Sequence, residues 1–104
     1  MVLESGTLPV IPGREEEFEA AFEQAKSLIA GSPGCISVEL RRKVEVPNEY
    51  LLLVQWETIE DHTEGFRGSE AFTAWRELLH HFYEPKPVME HFTFVAGETG
   101  ISGT

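Results

Sequence analysis

Residues Tyr50 to Trp56 read Tyr-Leu-Leu-Leu-Val-Gln-Trp, and the apolar character falls on both parities of the run. In an extended chain successive side chains point to opposite faces. Tyr50, Leu52, Val54 and Trp56 therefore share one face, and Leu51, Leu53 and Gln55 the other. A strand with one wet face alternates apolar with polar residues, so this one demands cover on both sides. A chain of 104 residues holds a single hydrophobic core. The demand for two-sided cover therefore constrains the whole fold.

Around that strand the pattern runs strand, helix, strand, strand, helix, strand. Met1 to Ile11 is mostly apolar and β-branched and stops at Pro12-Gly13. From Arg14 to Ala30, Phe18, Ala21, Phe22, Ala25, Leu28 and Ile29 recur at three- and four-residue spacing and make one apolar helical stripe. Glu15, Glu16 and Glu17 lie in its first turn, where the helix dipole favours negative charge. Gly31-Ser32-Pro33-Gly34 ends that helix. Cys35 to Val44 reads as a strand with Ile36, Val38 and Leu40 on one face, and Val46-Pro47-Asn48-Glu49 as a turn. Thr58, with Asp61 three residues on, forms a weak capping box. Ser69 caps a second helical piece running to about Phe82. Pro85 and Pro87 bracket the loop into a last strand, Val88 to Val95, in which Val88, Phe92 and Phe94 oppose Met89 and Val95.

This order specifies an α+β fold, the ferredoxin-like βαββαβ plait: a four-stranded antiparallel sheet with helices on one face. Two helices cover one face only. The economical cover for the other is a second copy across a two-fold axis, because an open apolar face exceeds what soluble monomers tolerate. The expectation is thus a homodimer built from one domain, 1–96, with a flexible Gly/Ser/Thr-rich tail, 97–104.

Eight basic against eighteen acidic residues leave a net charge of −10, which argues against nucleic acid and anionic membrane surfaces as partners. The longest aliphatic run, Leu51 to Val54, is far short of the roughly 20 residues that cross a bilayer. No basic region followed by an apolar one marks the N-terminus as a signal peptide. The single cysteine, Cys35, cannot form an internal disulfide, which suits a reducing, cytoplasmic setting.

The chemistry concentrates between Trp56 and Phe92, where aromatic and titratable residues are dense enough to line a pocket. Ile59, His62, Thr63 and Phe66 share one helical stripe, which turns His62 inward. Phe72, Trp75, Leu79 and Phe82 form the matching stripe on the next helix. Each residue also has a plain structural reading: a buried histidine bonded to a backbone carbonyl, an arginine tying helix to loop, aromatics as core. His80 and His81 point about 100° apart on a helix and cannot chelate one ion, and no histidine pair has a four-residue spacing, so no metal site is expected. Gly68-Ser69-Glu70 lacks the second glycine of a nucleophile elbow, and Gly31 to Gly34 lacks the lysine of a phosphate loop.

Several segments in order carry a resemblance. They are Val10-Ile11-Pro12-Gly13-Arg14-Glu15, Ser32-Pro33-Gly34-Cys35, Pro47-Asn48-Glu49-Tyr50, Trp56-Glu57-Thr58 with Glu60-Asp61-His62, Gly65-Phe66-Arg67, and Ser69, Phe72 and Trp75 at three-residue spacing. Together they make the chain resemble the antibiotic biosynthesis monooxygenase family, whose members form dimeric α+β barrels from this plait. The fold also hosts haem-degrading enzymes. In that branch the asparagine place falls here at Gly6 and the histidine place at Arg76, with Trp75 displaced, which argues against haem degradation.

What the resemblance implies is cofactor-free oxygenation of an electron-rich phenol or quinol by O2. Such chemistry needs an apolar cavity, a base and a donor for developing negative charge. His62 is the candidate base and Arg67 the candidate anion stabiliser. Trp56, Phe66, Phe72, Trp75, Tyr83 and His91 are the candidate lining of the ring-binding cavity. The alternative is a non-catalytic, small-ligand-binding dimer of the same fold.

Overall fold

The computed structural model describes residues 1–100. Its elements run β1 (Val2–Pro9), α1 (Glu15–Ala30), β2 (Cys35–Arg42), β3 (Glu49–Trp56), a π-helical turn (Asp61–Phe66), α2 (Glu70–Leu79), a 3-10 turn (His80–Phe82) and β4 (Glu90–Phe92). The strands form one antiparallel sheet in the order β2-β3-β1-β4. This is the ferredoxin-like plait that the order of elements specifies.

Local chemistry sets the boundaries. Gly13, at φ +94°, adopts a left-handed conformation that suits glycine, and its N–H donates to Glu15 Oε1 at 2.9 Å as the chain turns into α1. Gly34, at φ +83°, closes the turn after α1, and a Cβ there would overlap the Asp61 carboxylate. Ser69 caps α2, its hydroxyl accepting the Phe72 N–H at 3.2 Å.

Beneath the helices lies the face of β3 made by Tyr50, Leu52, Val54 and Trp56, each no more than 2% exposed. Phe18, Phe22, Ala25 and Ile29 of α1 and Trp75 and Leu79 of α2 close over it. Leu51, Leu53 and Gln55 point the other way and are half-buried, with no helix above them.

Two strands depart from the pattern in the sequence. A β-bulge shifts the β2–β3 register between Cys35 and Ser37. The extra residue turns Ile36 out to 51% exposure, away from the half-buried Val38 and Leu40 with which alternation groups it. β4 pairs only over Glu90, His91 and Phe92, against Ser5, Glu4 and Leu3. Pro85 and Pro87 cannot donate to a ladder, so the strand begins two residues later than its apolar run. Beyond Phe92 no helix or strand follows to residue 100, and Val88, Phe94 and Val95 are exposed. The rest of the expected tail, 101–104, lies outside the described residues. Among the described residues no helix is long and apolar enough to cross a membrane.

Candidate active site

One end of the helix-covered face carries polar groups that the other end lacks. On β1 the inward positions are Glu4, Gly6, Leu8 and Val10, all buried. Register places Glu4 between Val54 on β3 and His91 on β4, which sets His91 on the helix-covered side. Above them, Thr58 and Asp61 form the expected capping box. The Thr58 N–H donates to Asp61 Oδ2 at 3.1 Å, and the Asp61 N–H donates to Thr58 Oγ1 at 3.2 Å. The helix then widens, the Arg67 N–H donating to the His62 carbonyl, five residues back, at 3.1 Å. That turn buries both His62 and Phe66.

These elements bring three titratable groups into one hydrogen-bonded row. The Trp56 indole N–H donates to Glu4 Oε1 at 2.9 Å. Glu4 Oε2 lies 3.3 Å from His62 Nε2, and His62 Nδ1 lies 2.8 Å from His91 Nε2. The His62 ring stacks on Trp56 at 5.5 Å between centroids and 17° between planes. The Glu4 and His62 side chains are each only 4% exposed. Burial pushes the Glu4 carboxyl up, opposed by the Trp56 hydrogen bond and the Arg67 charge. Burial, aided by Arg67 and His91, lowers His62 to about 4, so the imidazole is neutral at pH 7. With Glu4 ionised, His62 donates from Nε2 and accepts at Nδ1. Both its nitrogens are then engaged.

Beside this row opens a cavity of about 420 Å³, walled by Glu4, His62, Phe66, Phe72 and Trp75, with Arg67 and Met89 also lining it. Arg67 is exposed and stands at the rim. Of the residues the sequence points to, His62, Arg67, Phe66, Phe72 and Trp75 thus share one pocket. Trp56 lies behind the pocket wall and reaches it through Glu4, and His91 touches His62 from β4. Tyr83 is elsewhere: its backbone bridges to Val10 and its ring packs on Phe18, with centroids 5.8 Å apart. Arg76 is exposed, its guanidinium 5.7 Å from the Phe72 ring centroid.

Glu4, Gly6 and Met89 are not among the residues to which sequence spacing points. The signal for Glu4 is its parity with Leu8 and Val10, which aims a lone carboxylate into the core. Gly6 forms a notch that the Met89 thioether fills, since a Cβ at Gly6 would overlap its sulfur. No group of three His, Cys, Asp or Glu side chains among the described residues is arranged to hold a metal ion.

A four-stranded plait with an aromatic, partly polar pocket under its second helix defines a small α+β ligand-pocket domain. The sequence model of the antibiotic biosynthesis monooxygenase family matches residues 1–78, and the chain belongs to that family. It is 52% identical over 92 residues to an uncharacterized protein of Bacillus subtilis (strain 168), YczJ, an alignment covering 88% of this chain and 97% of that one. A crystal structure of a family protein from Bordetella bronchiseptica superposes with a TM-score of 0.88 at 38% identity, covering 91% of this chain and 97% of that one. SnoaB, a cofactor-independent oxygenase from Streptomyces nogalater, shares the fold at 20% identity with a TM-score of 0.79, over 92% of this chain and 94% of SnoaB.

Proposed function

We propose that this protein is a cofactor-independent monooxygenase that oxidises an electron-rich phenol or quinol with O2. The observation that carries this reading is the buried Glu4–His62–His91 row set against an aromatic pocket with Arg67 at its rim. The substrate ring lies against Phe66, Phe72 and Trp75. The row centred on His62 removes the hydroxyl proton, and Arg67 stabilises the negative charge that develops on the ring or on bound peroxide. The description of SnoaB as a cofactor-independent oxygenase supports the same chemistry here. The free thiol of Cys35 is consistent with a cytoplasmic setting.

The working unit in this proposal is a homodimer, with a second copy covering Leu51, Leu53 and the exposed Phe92. Such an interface buries at least about 1,200 Å² in total. Light scattering that gives a monomer mass at micromolar concentration would refute it.

Oxygen uptake with a panel of hydroquinones and polycyclic phenols, no cofactor added, tests the activity. Saturable uptake is expected. A second reading, a ligand-binding dimer without turnover, is favoured by one observation: neither His62 nitrogen is free to meet a ligand. Saturable quenching of tryptophan fluorescence by the same compounds without uptake would select it.

A further inference from the structure

Glu4 is the one buried carboxylate among the described residues. Taking a carboxylate out of water is costly unless donors meet it. Two do: the Trp56 indole N–H on Oε1 and the His62 imidazole on Oε2. A carboxylate offers about four lone-pair sites, so two donors leave acceptor capacity unused. Glu4 also forms part of the pocket wall. His62 has no such spare capacity, because Nε2 is on Glu4 and Nδ1 is on His91. Within this row, the group able to accept a hydrogen bond from a ligand hydroxyl is the carboxylate.

Resting on the oxygenase reading, we propose that Glu4 is the catalytic residue that takes and returns the substrate proton, with His62 a positioning residue that acts through it. Burial supports the role by raising the carboxyl's affinity for a proton toward the working range of a general base. The other ionisable groups that act on this environment are His62 from the π-helical turn, Arg67 just beyond it, His91 from β4 and Cys35 at the start of β2. Trp56 and His91 pin Glu4 and His62 from opposite ends, so the carboxylate is held rather than mobile.

The step balances without any group beyond substrate and O2. Glu4 takes the phenol O–H proton. The ionised ring gives an electron pair to O2, forming a C–O bond and a terminal peroxide anion, and protonated Glu4 returns its proton to that terminal oxygen. Loss of the ring hydrogen on the same carbon, with cleavage of the O–O bond, releases water and leaves a carbonyl. A phenol thus becomes a quinone, oxidised by four electrons, while one O2 yields one carbonyl oxygen and one water. The substrate class is a neutral hydroxyarene with an unsubstituted reactive carbon, because an anionic one would face Glu4 with no proton to give.

The test uses the full chain and 1,3-dihydroxynaphthalene, whose ring hydrogens exchange through its ionised form. Under nitrogen in D2O, NMR follows exchange of ring hydrogen for deuterium; in air, an electrode follows O2 uptake. The wild-type protein should accelerate both. Glu4→Gln keeps an acceptor for Trp56 and should lose roughly 10²–10³-fold in both rates, with the Kd for the probe within about threefold of wild type. His62→Gln should lower kcat by a smaller factor, leave KM unchanged and move the acid limb of the kcat profile, which a merely structural histidine would not do. A Glu4→Gln protein that binds the probe and exchanges it at the wild-type rate overturns the proposal. Uptake unaffected by Glu4→Gln removes Glu4 but leaves the oxygenase. Anaerobic exchange that depends on Glu4, with no uptake in air, removes the oxygenase and keeps Glu4 as the base. Neither rate above buffer overturns both. Should Glu4→Gln fail to fold by circular dichroism, Glu4→Asp withdraws the carboxylate by one methylene, and undiminished exchange in that variant overturns the proposal equally.

Discussion

The two ends of the helix-covered sheet face solve the same burial problem with different chemistry. At one end Phe18 is fully buried among other rings, with centroid distances of 4.9 Å to Tyr50, 5.8 Å to Phe82 and Tyr83, and 6.2 Å to Phe22. Edge-to-face aromatic contacts satisfy one another whatever the pH. At the other end Trp56, equally buried, meets Glu4 and stacks on His62, and every polar atom there depends on a named partner. The first end contributes stability unconditionally. The second is stable only while protonation and hydrogen bonding stay matched, a condition that a catalytic site can exploit.

Truncation at the aromatic end should have the largest effect on stability. Phe18→Ala should cost about 3–5 kcal/mol in urea unfolding while leaving ligand affinity at the pocket unchanged in any variant that remains folded. A matching loss of affinity would mean that the two ends are not separable.

At the polar end, Trp56→Phe keeps most of the ring but removes the donor to Glu4. A buried acceptor left short of a partner costs about 1–3 kcal/mol. The loss should grow as pH rises, because the ionised carboxylate needs that donor more than the protonated form does. A cost that does not vary with pH would mean that Glu4 is protonated throughout.

The pH dependence sharpens the contrast further. The His62 pKa is lowered in the folded state, so the unfolded chain binds the proton first and stability falls as pH drops from about 6.5 toward 4. Glu4 is raised, and its contribution has the opposite sign, present at low pH and lost as pH rises through its folded value. In a Glu4→Gln background only the histidine remains. Adding His62→Gln should there flatten the acid limb by at most about 1 kcal/mol between pH 7 and 5.5. An unchanged limb would mean that His62 does not set it.

The smallest effect is expected on the surface. Lys26 pairs with Glu23 at 2.9 Å on the exposed side of α1, and Lys26→Ala should change stability by about 0.5 kcal/mol or less.

What the sequence makes legible is local or periodic. The parity of Tyr50 to Trp56 announces the two-faced strand, Thr58 with Asp61 announces a cap, and Ser69 announces another. Glu4 stays hidden because its partners are remote: Trp56 is 52 residues away, and only the β1–β3 register brings the two together. His91 meets His62 across 29 residues for the same reason. The Ile36 bulge and the seating of Met89 over Gly6 leave no periodic trace, since each is a one-residue event decided by a neighbouring strand. Tyr83 shows the converse: an aromatic close in sequence to the pocket residues, which the 3-10 turn delivers to the Phe18 end instead.

The widened turn between Asp61 and Phe66 gives the site a unit of length. Where the Arg67 amide reaches back five residues to His62, the turn holds one residue more than an α-helix would place there. Removing a single codon within 63–65 would let the segment wind as an ordinary helix, rotating everything after the deletion by about 100° relative to what precedes it. His62 would keep its place on Trp56 while Arg67 swung off the pocket rim. The separation of base from cation is therefore adjusted in whole residues, and changing it by one is a genetic step that spares the capping box upstream.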